Sequence, residues 1–152
     1  MAIKIISKDR SSQATKIIKQ SDYAHLIGLK SNFEKMEQVR SGISKSVLVE
    51  IKNRINIDYD SLSIIIGTTK TTIHNKKNDE KFSSTVSEKI VALFDLYEFG
   101  YSVFEDKLNF EKWIQTSNRA LDNKRPIELL DTIFGIDEVK NIIGRIEHGV
   151  YS

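Results

Sequence analysis

Hydrophobic residues recur at steps of three and four along most of the chain, which is the spacing of one face of an α-helix. The longest such series comprises Val86, Ile90, Leu93, Phe94, Tyr97, Tyr101 and Phe104. Thr85 and Glu88 stand at its start in the order of a capping box, in which two side chains satisfy free N–H groups. The pattern predicts a long central helix over residues 85–104, with its apolar face in the core.

Two shorter amphipathic series come earlier in the chain. Helical spacing predicts one helix over about residues 32–40, which Ser41 and Gly42 would end. A second helix is predicted from about Ser44 to Asn56, with Ser44 as its N-cap. Its apolar positions are Val47, Leu48, Ile51 and Ile55.

A short segment with three consecutive isoleucines, Ile64 to Ile66, follows. A buried strand would also fit it, but Asp60 as an N-cap and Gly67 as a left-handed stop favour a short helix. Thr68 or Thr69 would cap the helix after it. That helix is rich in β-branched threonine, a poor helix former, and therefore needs tertiary support.

The last third predicts three further helices. Their apolar positions are Leu108, Trp113 and Ile114, then Ile127, Leu130, Ile133 and Phe134, then Val139, Ile142, Ile143 and Ile146. Pro126 suits the first position of the second helix, which Gly135 would end. Asp137 would cap the third, and Gly149 would end it. The predicted fold class is all-α, with about seven or eight helices.

A helix-turn-helix pattern surrounds Gly67. Apolar residues stand five and one positions before it and six positions after it, and the small Ser63 stands four before. The outward residues of the second helix are Thr69, Lys70, Thr71, His74 and Asn75, followed by Lys76 and Lys77. Asn can pair with adenine, and Lys with guanine or phosphate, so we predict that these residues bind DNA. A solvated helix end at Lys76 and Lys77 is the alternative.

The charge sum is nearly balanced, with 23 Lys and Arg against 21 Asp and Glu. Its distribution is not, since residues 1–58 carry 11 basic and 6 acidic side chains and residues 59–106 carry 5 and 8. The basic excess therefore lies in the first third. It forms either a solvated arm or a surface that contacts phosphates.

The sequence offers few of the residue types and motifs that enzymes use for catalysis. The chain has no Cys, its 3 His residues are far apart, and its 7 Gly form no phosphate-binding loop. We predict no catalytic residue, no metal and no cofactor, and hence no enzyme. Apolar stretches are too short to span a bilayer and the first residues lack a secretory leader pattern, so a soluble cytoplasmic protein is expected.

The last third also carries recognisable motifs. They read Phe-Glu-Lys-Trp-Ile at 110–114, Arg-Pro-Ile-Glu-Leu-Leu at 125–130 and Gly-Arg-Ile-Glu-His-Gly-Val-Tyr at 144–151. This region resembles the toxin-binding domain of the Xre/MbcA/ParS antitoxin family, and residues 42–104 resemble the helix-turn-helix region that precedes it there. Ser117, where the family often has Pro, and the turn at Asp122 and Asn123 depart from the pattern.

The resemblance implies an antitoxin of a type II toxin–antitoxin pair that is helical, dimeric and DNA-binding. It implies that the chain represses its own promoter and covers the active site of a cognate RES-type, NAD-consuming toxin with its C-terminal region. The implied toxin-binding residues are Arg145, Glu147, His148, Gly149, Val150 and Tyr151. The implied division is a lead-in over 1–40, a helix-turn-helix domain over 41–105 and a toxin-binding domain over 106–152.

Three alternatives remain open. The toxin could ADP-ribosylate a target instead of degrading NAD. The chain could be a plain transcriptional regulator whose C-terminal domain only dimerises. It could also be an interaction module that no longer binds DNA, because Thr68 and Lys76 stand where apolar residues are commoner in a helix-turn-helix.

Overall fold

The fold is taken from a computed structural model that describes residues 31–150. Seven α-helices lie in this range: α1 Asn32–Ser41, α2 Lys45–Arg54, α3 Tyr59–Ile66, α4 Lys70–Asn75, α5 Ser84–Phe104, α6 Lys107–Ile114 and α7 Ile133–Glu147. Two 3-10 turns, Arg119–Leu121 and Pro126–Leu129, connect α6 to α7. The described residues contain no strand and only two isolated bridges, so the all-α prediction is confirmed. The first 30 residues of the predicted lead-in lie outside the described residues.

Side-chain caps begin most of the helices. Ser44 accepts a hydrogen bond from the N–H of Val47 at the start of α2, and Thr69 accepts one from Thr72 at the start of α4, as predicted. Three other predicted caps are wrong, and one of them, Asp137, lies inside α7, which Thr132 caps. Asp58 caps α3 instead of Asp60, and Ser83 caps α5 instead of Thr85.

The physical reason is that the caps of α3 and α5 both stand two residues earlier than predicted, directly after a buried anchor. Ile57 and Phe82, which immediately precede the two true caps, are buried. The N–H of Phe82 also donates to the carbonyl of Ile43, at 2.8 Å. Each anchor fixes the chain direction, and the next residue with a suitable side-chain oxygen then takes the cap position. Asp58 is stabilised as a carboxylate there, because hydrogen bonds from Ser61 lower its pKa.

The last third differs from the prediction in its helix boundaries. Pro126 does begin a helical turn, but this 3-10 turn ends at Leu129, and Thr132 caps a single longer helix that contains Gly135 and Asp137. Gly135 is therefore no stop: a Cβ there would overlap the carbonyl of Leu129. Glycine allows the first turn of α7 to approach that backbone. Gly149, at φ 69°, ends α7 as predicted.

Helix α5 occupies the middle of the fold, and α1, α3, α6 and α7 pack against it. Its predicted face is buried at Ile90, Leu93, Phe94 and Tyr97, and Val91, Leu96 and Gly100 are buried as well. Burial on more than one side follows from its position between the helix-turn-helix and α7. Leu108 and Phe134, expected in the core, are 71% and 86% exposed. In α6 the buried residues are Phe110, which the prediction omitted, and Ile114, which it included.

Ion pairs tie the outer helices to α5. Asp95 contacts Lys35 of α1 at 2.5 Å and Lys140 of α7 at 3.2 Å. Arg54 at the end of α2 binds Glu98 with two hydrogen bonds, of 2.6 and 2.9 Å, which raise the pKa of the guanidinium. Within residues 31–150 no helix is long and apolar enough to cross a bilayer.

Candidate nucleic-acid interface and C-terminal cleft

Helices α3 and α4 form a helix-turn-helix corner around Gly67. Gly67 has φ 71° and ψ 39°, the left-handed conformation that the sequence predicts. Leu62, Ile66 and Ile73 are buried on the inside of the corner, as expected from their spacing. Ser63 is buried too, and its hydroxyl donates to the carbonyl of Asp60 at 2.9 Å. A small residue here lets α4 lie close to α3.

Tertiary contacts hold α4 in place, because a helix of six residues is too short to be stable alone. Ile73 is its buried residue and anchors it in the core. At its far end the Lys45 ammonium donates to the carbonyls of His74 and Lys76, both at 2.8 Å. The loop that follows pairs with the start of α2, where the N–H of Ser46 donates to Asn78 at 2.9 Å. Helix α4 is thus held by its buried isoleucine and by the contacts at its C-terminal end.

Most predicted DNA-binding residues lie on the exposed side of α4. Thr69, Lys70, Thr71, His74, Asn75 and Lys77 are exposed. Lys76 is not on the helix, which ends at Asn75, and its side chain is half-buried. Its ammonium donates to the carbonyl of Lys81 at 3.0 Å and lies 5.1 Å from the ring centre of Phe82. Lys76 therefore supports the loop and is turned away from the other predicted residues.

The side chains around α4 include three that sequence reasoning did not assign to this surface. The ring of Tyr59 lies 4.8 Å from that of His74, and the Lys52 ammonium lies 4.7 Å above the Tyr59 ring. Asp60 forms an ion pair with Lys70. Tyr59 and Asp60 are the first two residues of α3, so the surface is built from both helices of the corner.

A second candidate site is a cleft of about 430 Å³ beside the end of α7. Its lining residues are Phe104, Trp113, Asn118, Ala120, Ile142, Arg145, Ile146 and Val150. Of the predicted toxin-binding residues, Arg145 and Val150 line the cleft, and Glu147, His148 and Gly149 are exposed beside it. Tyr151 lies outside the described residues. Sequence reasoning missed the other wall, although Trp113 belongs to a motif that carried the resemblance.

Packed aromatic rings form and support one wall of the cleft. Trp113 lies 5.3 Å from Phe104 and 6.0 Å from Phe110 between ring centres. Phe110 is fully buried and meets Tyr97 and Tyr101 edge-on, at 5.2 and 5.4 Å. Burial raises the pKa of both tyrosines, which keeps their hydroxyls neutral. Such interlocked rings make this wall of the cleft rigid.

The end of α7 is held in a defined turn. The N–H of Gly149 donates to Ile146 at 3.0 Å, and the N–H of Val150 donates to Arg145 at 2.8 Å. These bonds, with the left-handed Gly149, form a Schellman-type ending. They direct Val150, which is 57% exposed, toward the mouth of the cleft.

Comparison with known proteins connects these two surfaces to named domains. Residues 34–94 match the family described as the antitoxin Xre-like helix-turn-helix domain. Residues 100–149 match the antitoxin Xre/MbcA/ParS C-terminal toxin-binding domain. The chain belongs to the Xre/MbcA/ParS antitoxin family. It is accordingly a binding and regulatory protein and not an enzyme.

Two curated relatives in the antitoxin family are similar to parts of the chain. Antitoxin Xre of Yersinia enterocolitica serotype O:8 / biotype 1B is 27% identical over 119 residues, which cover 77% of this chain and 80% of the relative. Antitoxin Xre of Photorhabdus laumondii subsp. laumondii is 34% identical over 73 residues, which cover 47% of this chain and 49% of the relative.

The two antitoxin domain matches place the two surfaces in different domains. The corner of α3 and α4 lies in the helix-turn-helix match, and the cleft, apart from Val150, lies in the toxin-binding match. The matches end and begin within α5, so both domains use this helix. The boundary between residues 105 and 106 stays a prediction.

Proposed function

We propose that the chain neutralises a RES-type, NAD-consuming toxin by covering the toxin's active site with its C-terminal region. We further propose that it binds its own promoter as an autorepressor through α4, as a homodimer in the cytoplasm. The observation that carries the first part is the cleft at the end of α7. It combines Trp113 and the exposed Arg145, both in the matched toxin-binding domain, with the exposed apolar Val150 directly after it.

These side chains have the chemistry of a protein interface. Trp and Arg are enriched among the residues that contribute most to binding between proteins. Arg145 can pair with carboxylates of the toxin through two parallel hydrogen bonds, which favours a fixed orientation of the partner. The Trp113 ring is partly buried and already packed against the core, so little side-chain entropy is lost when its exposed part is covered.

Replacing Arg145 with Ala is expected to weaken the toxin complex by about 30-fold or more, the effect of losing an interface hot spot. Deleting residues 149–152 is also expected to weaken the toxin complex, while leaving Ile146 in its packed position against the core. The measurement is the dissociation constant with the product of the neighbouring gene, together with growth of cells that express both proteins.

Lys77→Ala serves as the control, because it removes an exposed positive charge from the other surface. It should keep full neutralisation. Protection of growth by Arg145→Ala and by the truncated chain alike would reject the C-terminal region as the neutralising element. A cell NAD content that stays constant under toxin expression would reject the NAD-consuming class and favour ADP-ribosylation.

The DNA-binding part is tested at Asn75. If Asn75 pairs with a base, its replacement by Ala should cost about 1–3 kcal/mol of affinity for the DNA upstream of the gene and leave affinity for a scrambled duplex unchanged. Fluorescence anisotropy with both duplexes measures this difference. Asn78→Ala, the same change in the exposed loop beyond α4, is the matched control and should bind like the original protein.

Two outcomes would contradict this assignment. Equal affinity of the unaltered protein for both duplexes would remove the autorepressor role and favour an interaction module. Unchanged binding by Asn75→Ala would remove Asn75 from the base-reading residues.

A further inference from the structure

The ion pair between Asp60 and Lys70 crosses the turn of the helix-turn-helix. Asp60 is the second residue of α3, and Lys70 is the first residue of α4. The Lys70 ammonium contacts a carboxylate oxygen of Asp60 directly. Both side chains are largely exposed, by 74% for Asp60 and 50% for Lys70. The pair therefore lies on the surface that carries the predicted DNA-binding residues.

Asp60 is not needed to begin α3. Asp58 takes the cap position, with its carboxylate accepting from the N–H of Ser61 at 2.8 Å. An ion pair as exposed as that of Asp60 and Lys70 contributes only about 0–1 kcal/mol to folding stability. Asp60 also lies in the first turn of α3, where the helix dipole favours a carboxylate. That effect does not depend on contact with Lys70, so neither it nor helix capping accounts for the pairing of the two side chains.

The pair has a larger consequence for DNA binding than for folding. Contacts between Lys and phosphates supply most of the affinity for DNA of any sequence, and this affinity does not discriminate between sites. A lysine that already pairs with a neighbouring carboxylate must give up that anion to contact a phosphate. The free energy gained from the phosphate contact is therefore small. A base edge that offers Lys70 a directed hydrogen bond can still be read from the held position.

We propose that Asp60 is a positioning residue that sets DNA specificity: it holds Lys70 against α3 and so limits capture of phosphates in nonoperator DNA. The inference rests on the proposed DNA binding by α4. It assigns to Asp60 the role of lowering nonspecific affinity, a role that acts through Lys70.

The test compares Asp60→Asn, Lys70→Ala and the double variant with the unaltered protein. The probes are a 30-base-pair duplex of random sequence and the DNA upstream of the gene. Asp60→Asn should bind the random duplex about threefold more tightly, the effect of one added phosphate contact, and its log–log salt slope should be steeper by about 0.9. The ratio of upstream to random affinity should fall accordingly.

Asp137→Asn controls for the change in net charge, because it removes an exposed carboxylate from α7. The increase in affinity for the random duplex that Asp60→Asn causes should be absent when Lys70 is already Ala. A gain of the same size in the Lys70→Ala background would overturn the inference, and so would equal binding by Asp60→Asn and Asp137→Asn.

Failure of this inference is distinguishable from failure of the proposed function. If the unaltered protein prefers the upstream duplex but Asp60→Asn does not differ from Asp137→Asn, only the role of Asp60 is rejected. If the unaltered protein binds neither duplex, both proposals are rejected. Equal thermal melting of all variants shows that the fold is intact, as expected for exposed side chains.

Discussion

Replacing Phe110 with Ala is expected to lower the free energy of unfolding by about 3–5 kcal/mol, the range for a buried aromatic residue. Phe110 is fully buried at the contact of α5 with α6. Its ring meets those of Tyr97, Tyr101, Phe104 and Trp113. The change leaves a cavity under the cleft, so toxin affinity should fall along with stability. Urea unfolding of the variant measures the first effect, and toxin titration the second.

Two further substitutions show whether the Phe110 ring itself is responsible. Leu108→Ala lies in the same helix but at an exposed position, and should change stability by no more than about 0.5 kcal/mol. Gly100→Ala places a Cβ where it would overlap the Phe110 ring, and should cost about 1–3 kcal/mol through overpacking. In the Phe110→Ala background the same Gly100→Ala change should stabilise, by up to about 1 kcal/mol, because alanine is the better helix former. An equal cost in both backgrounds would contradict the packing described for this site.

The elements that sequence reasoning predicts well are those set by local chemistry. The spacing of Leu62, Ile66 and Ile73 around Gly67 gives the helix-turn-helix corner, because burial and left-handed backbone are both decided within a few residues. The long apolar series gives α5 in the same way. Only the start of α5 is missed, since Ser83 and Thr85 both have hydroxyls that can cap a helix.

Features that depend on distant contacts are not visible in the pattern. Gly135 has the residue type of a helix stop, and only its approach to Leu129 shows that it belongs inside α7. The cleft is similar, because its walls come from Phe104, Trp113 and Arg145, which are up to 41 positions apart. The family resemblance indicates Arg145, and nothing in the local pattern indicates Phe104 or Trp113 as its neighbours. The Asp60–Lys70 pair is missed for the same reason: Asp60 fits a cap by its sequence context alone.

Replacing Ile73 with Ala is expected to abolish measurable operator binding and to lower the free energy of unfolding by about 2–5 kcal/mol. Ile73 is the buried residue of the six-residue helix α4, whose exposed side carries the predicted base-reading residues. A helix this short depends on its tertiary anchor, so losing the side chain frees α4 before the rest of the fold opens. Hydrogen exchange of the α4 amides measures local opening of this helix, and unfolding in urea measures the stability of the whole fold. Fluorescence anisotropy measures the affinity for the operator.

Ile64→Ala provides the matched control, because it is the same change in the neighbouring helix α3 at a position that is 68% exposed. It should leave both stability and DNA affinity within about 0.5 kcal/mol of the original values. None of the residues that line the cleft belongs to α3 or α4, so Ile73→Ala should retain toxin binding under conditions where the chain remains folded. Loss of toxin binding together with DNA binding in a folded Ile73→Ala variant would show that the two surfaces are not independent. Retained operator binding would show that α4 is held by its ends, through Lys45 and the Thr69 cap, and not by its buried isoleucine.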